Sequence, residues 1–465
     1  MVRFRFRIVF FLLVVLAIGV MGDAVGAPKK RKSKKEARAN KEDDQEAGEG
    51  KQERRKKRKK NRKQQKEEDE QARKTATGNG ATGQKKSGLT GKKHEIYYPE
   101  TKLRKRYKVA VIVPLYLDEL VRGESVTFKD NVPEKAAPGL AFYQGVKLAA
   151  DSLRRAGAKL DIYIKDAGSF QESPEMLINN RKLDSTDLII GAVEQHDIPV
   201  LANYARKRRI NFVSALTNYD GWVKDNQYFT MLQPSVKSHC EYIIDDLSAR
   251  YAGHDVTLLY RTSSLADDNA ALYILNDLYS EVKFRKLLCN TLPRKDALSA
   301  VLDSSKPNIV VISILDHVFA DSILRVLSKS YPNTHFEIYG MPGWNANANL
   351  RKTNLYKNLT VNVTYPVNME NGDSVLKRSV QAIFAKEFGG KPTEMVWRGY
   401  EAMLWYGTLL GKYGTIFNNE YNDLDGAPFT RFKVKPRWDR NGVLLYLENK
   451  QIYMSTYQGG VLSTR

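Results

Sequence analysis

The sequence predicts an α/β protein of two lobes, each a doubly wound, mainly parallel sheet. Three observations predict it. Composition changes abruptly at Tyr107, from a charged, apolar-poor leader to a body with regular apolar runs. In the body, strand-like runs alternate with amphipathic stretches at roughly thirty-residue spacing, the pattern of parallel strands with crossover helices. The pattern restarts near Tyr228, and the 359 residues from Tyr107 onward are too many for one such core.

VAVIVPLYL (109–117) has the continuous apolar character of a buried strand. GLAFYQGVKLAADSLRRAG (139–157) puts Phe142, Val146, Ala149 and Leu153 on one helical face and stops at Gly157. LDIYIKDAG, a helix through 174–183, DLIIGAV, a helix through 198–207 and INFVSAL complete the first set. YFTMLQPS (228–235) leads into a helix over 236–251. DVTLLYR, VKFRKLLC, NIVVISILD, HFEIYGMPG and LTVNVTYP then alternate with helices through 267–280, 296–303 and 319–330. SVLKRSVQAIFAKEFGG and TEMVWRGYEAMLWYGTLLGKYG are two helices in succession, and the C-terminus is β-rich.

The N-terminus reads differently. Arg3, Arg5 and Arg7 precede 14 apolar residues, Ile8–Met21, with small residues after them. This is the layout of a secretory signal peptide over 1–26; the alternative is an uncleaved membrane anchor. Residues 28–106 carry 29 Lys or Arg against 13 Asp or Glu, whereas 107–465 carry only 43 against 39. The leader, 27–106, is expected to be disordered, because it has too few apolar residues to offset the entropy of ordering. Its charge suits attachment to an anionic membrane or wall polymer, or else it is a solvated spacer; no aromatics interleave for stacking, which disfavours nucleic acid.

Taken in order, KVAVIVPL, YQGVKLAADSLRRAG, LIIGAVEQHDIPVLANYARKRRINFVSALTN, FTMLQPS, YGMPGWNAN and FAKEFGGKPTEMVWRGYEAMLWYGTLL resemble the branched-chain amino-acid (Leu/Ile/Val) receptor family of ABC-transporter substrate-binding proteins. The resemblance runs from Tyr107 to the C-terminus and implies the two-lobe type I periplasmic-binding fold with three inter-lobe crossovers. Lobe one is then expected at 107–232 plus 366–432, and lobe two at 233–365 plus 433–465. The ligand site is expected in the cleft between them, at the carboxyl ends of strands.

The cleft candidates are strand-end residues. Glu194, Gln195 and His196 crown the loop after DLIIGAV, where helix N–H groups would face an anion, or else they are exposed loop side chains. SALTN (214–218) offers the backbone at Ala215, the Thr217 hydroxyl and the Asn218 amide, or else a turn cap. Asp316 and His317 end a strand and either orient one another toward a ligand or form an ordinary N-cap with a neighbour. Trp344 and Asn345 are an aromatic wall and a polar contact, or Trp344 belongs to the core. The chain departs from the family where it has Glu194-Gln195-His196 in place of a small hydroxyl residue. It departs again at Met341-Pro342-Gly343, where the family's acidic residue for the ligand ammonium stands.

The sequence has no G-x-S-x-G, P-loop, H-E-x-x-H or G-x-G-x-x-G after its first strand, and its six histidines lack metal-ligand spacing, so neither catalysis nor a cofactor is expected. Cys240 and Cys289 are expected as two buried thiols, with a disulfide as the alternative. NLT and NVT (358–364) match the glycosylation pattern in a buried-strand context. The expected function is an extracytoplasmic solute-binding protein, periplasmic or tethered to the inner membrane, that closes two lobes over a small ligand for ABC-type uptake or sensing. Its ligand would be an amino acid, peptide or wall fragment, and its partner a membrane permease. The alternative is a non-transport envelope protein of the same fold, working with an envelope enzyme.

Overall fold

The computed structural model describes residues 96–217, 223–275, 282–366, 375–422, 431–439 and 441–465. The expected signal segment 1–26, residues 27–95 of the expected leader and Asn218 lie outside them. Residues 96–106, expected to be disordered with the leader, are instead held on the first lobe, where Thr101 bonds the Tyr413 carbonyl at 2.7 Å and Arg104 meets Asp187 at 3.0 Å.

The first half begins with strand β1 (Tyr107–Val113), a helical turn α1 (Leu117–Leu120) and a small hairpin, β2 (Val121–Arg122) and β3 (Ser125–Val126). It continues through α2 (Ala137–Arg155), β4 (Leu160–Asp166), α3 (Pro174–Asn179), β5 (Leu188–Gly191), α4 (Ile198–Arg208), β6 (Asn211–Ser214) and β7 (Phe229–Met231). The second half runs α5 (Val236–Tyr251), β8 (Asp255–Tyr260), α6 (Leu265–Leu275), β9 (Lys283–Leu288), α7 (Lys295–Ser299), β10 (Asn308–Ile312), α8 (His317–Ser330), β11 (Phe336–Gly340) and β12 (Leu359–Tyr365). Helices α9 (Val375–Phe388) and α10 (Glu394–Tyr413) follow, then β13 (Val434–Trp438), β14 (Leu444–Asn449), β15 (Tyr453–Gln458) and β16 (Val461–Thr464).

These strands form two seven-stranded sheets, ordered β13-β14-β7-β6-β5-β1-β4 and β16-β15-β12-β11-β10-β8-β9. The first is parallel except for β13, and the second except for β15 and β16. Val109 pairs with Leu188 on one side and Ile162 on the other. Strands β1, β5, β6 and β10 are almost wholly buried because helices cover both faces, which is why they read as unbroken apolar runs.

Two glycines fix the main helix pair. A Cβ on Gly145 of α2 would fall 1.9 Å from the Val396 carbonyl oxygen, and one on Gly399 of α10 would fall 2.1 Å from that of Phe142. The helices therefore touch backbone to backbone, over a core containing Phe142, Val146, Tyr400 and Met403.

The chain passes between the sheets after β7, after β12 and after β14. The sequence reading placed 433–449 in lobe two. Instead β14 pairs in parallel with β7 of the first sheet and β13 pairs with β14, so only β15 and β16 join the second sheet. The cause is a buried joint. Glu448 at the end of β14 is 0% exposed, and its Oε1 accepts hydrogen bonds from the Ser235 N–H at 2.7 Å and the Ser238 hydroxyl at 2.6 Å, both at the start of α5. Its Oε2 is compensated by charge, with Lys450 Nζ at 3.2 Å and Arg437 Nε at 3.9 Å. Burial alone would raise this carboxyl, but Lys450, Arg437 and the two serines outweigh it and hold it below its ordinary value.

Both cysteines are free and buried. Asn358 donates its amide to the carbonyls of Tyr331 (2.9 Å) and Thr334 (3.0 Å), and Asn362, 0% exposed, donates to Glu337 at 2.8 Å. Both amides of the NLT and NVT motifs are thus engaged inside the fold.

Candidate functional site

In each sheet the carboxyl ends of the parallel strands carry the loops that border the cleft. In the first lobe, Asp166 at the end of β4 organises this edge. It is buried and accepts backbone N–H bonds from Leu115 (2.7 Å), Tyr116 (3.0 Å), Leu117 (2.7 Å) and Gly168 (2.9 Å). Burial nonetheless raises its carboxyl, those bonds partly countering it. The loop so held places Tyr116 in the left-handed region (φ 55°).

The Tyr116 hydroxyl donates to Glu194 Oε1 at 2.8 Å, and that bond, ahead of burial, pushes the phenol up to about 12. Lys135 Nζ lies 4.6 Å from the Tyr116 ring centroid. Glu194, Gln195 and His196 are exposed. His196 Nδ1 is 3.5 Å from Glu194 Oε2, and its Nε2 is 3.3 Å from Asp197 Oδ1. Asp197 is buried, and burial pushes its carboxyl up to about 6 despite the opposing pull of His196. This edge is acidic, with Glu194 presented to solvent.

The remaining candidates separate. Ala215 is buried, and its carbonyl accepts from the Gln233 amide at 3.2 Å. Thr217 is 9% exposed. Asp316 caps α8, accepting from the Val318 (3.0 Å) and Phe319 (3.1 Å) N–H groups, and turns to Arg261 at 3.4 Å rather than to His317. Those N–H bonds lead the causes holding its carboxyl below the ordinary value. His317 and Asn345 are half-buried. Trp344 is no cleft wall: it is 1% exposed, packs in the second core against Gly340, and donates its indole N–H to the Ile314 carbonyl at 2.8 Å.

Sequence reasoning missed three residues here: Tyr116, Asp197 and Arg261. Arg261 directly follows β8, the same kind of position as the residues chosen, and the strand-end rule applied to DVTLLYR would have found it. Its guanidinium binds Asp267 (2.8 and 3.0 Å) and lies 4.8 Å from the Phe319 ring centroid. Asp267 in turn accepts from the Leu315 N–H at 2.8 Å. It ties two strand-end loops of the second lobe together, as Asp166 does in the first. Among the described residues no group of three His, Cys, Asp or Glu side chains gathers to hold a metal.

Beside the crossovers lies a cavity of about 20 Å³, lined by Ala215, Leu232, Gln233, Pro366, Arg398, Glu401 and Phe432. That is room for about one water, against roughly 300 Å³ or more for a ligand pocket.

Comparison of the structure with solved proteins decides the architecture. A protein assigned as a branched-chain amino acid ABC transporter from Rhodospirillum rubrum superposes with a TM-score of 0.55 at 12% identity, covering 77% of this chain and 100% of its own. The chain has the two-lobe type I periplasmic-binding fold. An ABC transporter substrate-binding protein from Desulfitobacterium hafniense gives a TM-score of 0.51 at 14% identity, covering 78% and 100%. A branched-chain amino acid ABC transporter periplasmic ligand-binding protein from Burkholderia xenovorans LB400 gives 0.51 at 12%, covering 77% and 94%. No protein-family model matches this periplasmic-binding-fold chain, and no curated protein sequence matches it.

Proposed function

We propose that this protein is an extracytoplasmic solute-binding protein that closes two lobes over a small amine-bearing ligand, of amino-acid or peptide class, without catalysing a reaction. The observation that carries the reading is the exposed Glu194 carboxylate at the strand-end edge of lobe one, oriented by Tyr116 and His196. An ammonium group meeting it gains a charge-assisted bond. The neighbours' descriptions as ABC transporter substrate-binding proteins support delivery of such a ligand to a membrane permease. Three chain crossings provide the hinge for closure. The test is calorimetric titration of amino acids and short peptides, with mass spectrometry of small molecules released from the purified protein. Glu194→Gln, His196→Ala, Thr217→Ala and His317→Ala should each weaken binding about tenfold. Unchanged binding in all four would place the site elsewhere.

A second reading has an observation of its own. The crossover cavity holds about 20 Å³ and the Glu448 joint fastens lobe two to lobe one beside it. Both suit a non-transport envelope protein that keeps the fold and uses it as a scaffold. Release of no small molecule, with no binding across the panel, would favour this reading.

A further inference from the structure

The amino ends of the first sheet's parallel strands lie at the edge opposite the cleft, and this edge is basic. The segment from Ile96 to Arg106 crosses it. Thr101 donates its hydroxyl to the Tyr413 carbonyl at 2.7 Å, Lys102 N–H donates to Thr415 Oγ1 at 3.1 Å, and Tyr107 N–H donates to the Lys159 carbonyl at 3.0 Å. Two grooves flank Arg104. One, of about 420 Å³, has a floor of small and apolar residues including Leu153, Ala158, Gly407 and Gly411. Its rim carries Arg104, Lys105, Lys159 and Lys412, and no acid lines it. The other, of about 290 Å³, adds Lys102, Arg208 and Arg209. Of its three acids, Asp187 is paired to Arg104 at 3.0 Å and Asp184 lies 3.9 Å from Arg208.

Together the grooves hold seven cations and three acids. Residues 96–465 carry 47 Lys or Arg against 40 Asp or Glu, so more than half of that excess sits at this one edge. Helix C-termini favour cations, which accounts for Arg208 and Lys412. It does not account for Lys102, Arg104, Lys105 and Lys159, which lie in loops. Among these cations Leu103 is 74% exposed, and Tyr97 is 85% exposed a few residues before them. A soluble polyanion gains nothing from the exposed Leu103 among these cations, whereas a bilayer boundary takes up Leu and Tyr beside basic side chains.

We infer that this edge docks on a bilayer bearing anionic phospholipid, with the headgroups on the Arg104–Lys105–Lys159–Lys412 rim and Leu103 in the boundary. The parallel sheet then points the cleft edge with Glu194 away from the membrane.

The test uses the full-length chain carrying one surface cysteine labelled with a fluorophore; Cys240 and Cys289 are buried and will not compete. Lys159→Cys reports on the basic edge, and Lys352→Cys, exposed in the second lobe, is the control. Vesicles of phosphatidylcholine, alone or mixed with phosphatidylglycerol, are added and quenching by acrylamide is measured. The expected result is shielding at position 159 only, and only with phosphatidylglycerol. Adding Lys102→Glu, Lys105→Glu and Lys412→Glu should reduce the shielded population about a hundredfold, at about fivefold per basic residue. Vesicle binding that leaves both positions open to quencher means that the rest of the chain does the binding, and overturns the inference. Equal shielding at both positions, shielding that survives the three reversals, or equal shielding by dextran sulfate would overturn it too.

Discussion

Replacing Glu448 with glutamine removes one charge from a carboxylate that is 0% exposed and keeps its shape. Two bonds to it, from the Ser235 N–H at 2.7 Å and the Ser238 hydroxyl at 2.6 Å, change from charge-assisted to neutral. At about 1.5–3 kcal/mol for the charged kind and about 0.5–1.5 for the neutral, that costs about 1 kcal/mol each. Lys450 and Arg437 also lose a partner, but both retain Glu241, at 3.1 and 3.3 Å. The penalty therefore falls at the lower end of the about 3–5 kcal/mol for breaking a buried ion pair, and the total is about 3 kcal/mol. The assay is urea unfolding of wild type and Glu448→Gln, followed by circular dichroism across pH. The Glu448 carboxyl is held below its ordinary value, so its stabilisation is present above the unfolded-state value and is lost as pH falls through the folded one. The gap between the two proteins should close on acidification. A difference below about 1 kcal/mol at neutral pH, or one that widens in acid, would refute the account of the joint.

Gly399→Ala should destabilise by about 1–3 kcal/mol or more in thermal melts, because its Cβ would meet the Phe142 carbonyl at 2.1 Å. Gly411→Ala, with nothing within 4 Å of the new methyl, should instead be neutral or gain up to about 1 kcal/mol in the same assay. Trp344→Ala should cost about 3–5 kcal/mol in urea unfolding, as a core truncation, whereas His317→Ala should change stability little. Asp197, with a carboxyl pushed up to about 6, binds its proton more tightly folded than unfolded. Stability should therefore fall as pH rises from about 4 to about 6 and level off above. Asp197→Asn should remove that fall, raising neutral-pH stability by up to about 3 kcal/mol in pH-dependent melts.

The succession of elements was legible because it is written in local periodicity. Helix α5 lies where 236–251 was expected, and α2 begins two residues before its apolar stripe suggested. Buried parallel strands announce themselves as apolar runs whatever they pair with. The place of the Glu194–His196 loop at a strand end was legible too, since a strand followed by a helix puts its loop at a known edge.

Pairing and burial were decided only in the tertiary structure. Strands β13 and β14 carry no local mark of which sheet they complete; Glu448 meeting Ser235 and Ser238, more than 200 residues away in the chain, settles it. Trp344 in GMPGWNAN suits a cleft wall or a core equally well in sequence, and the space beside Gly340 with the Ile314 carbonyl makes it core. Asp316 reads in sequence either as a partner of His317 or as an ordinary N-cap, and the free N–H groups of its own helix with the guanidinium of Arg261 make it the cap. The basic edge gathers residues from near 104, 159, 208 and 412. Charge counted along the chain spreads these residues out, and only the parallel sheet, which brings every strand's amino end to one side, sums them into a surface.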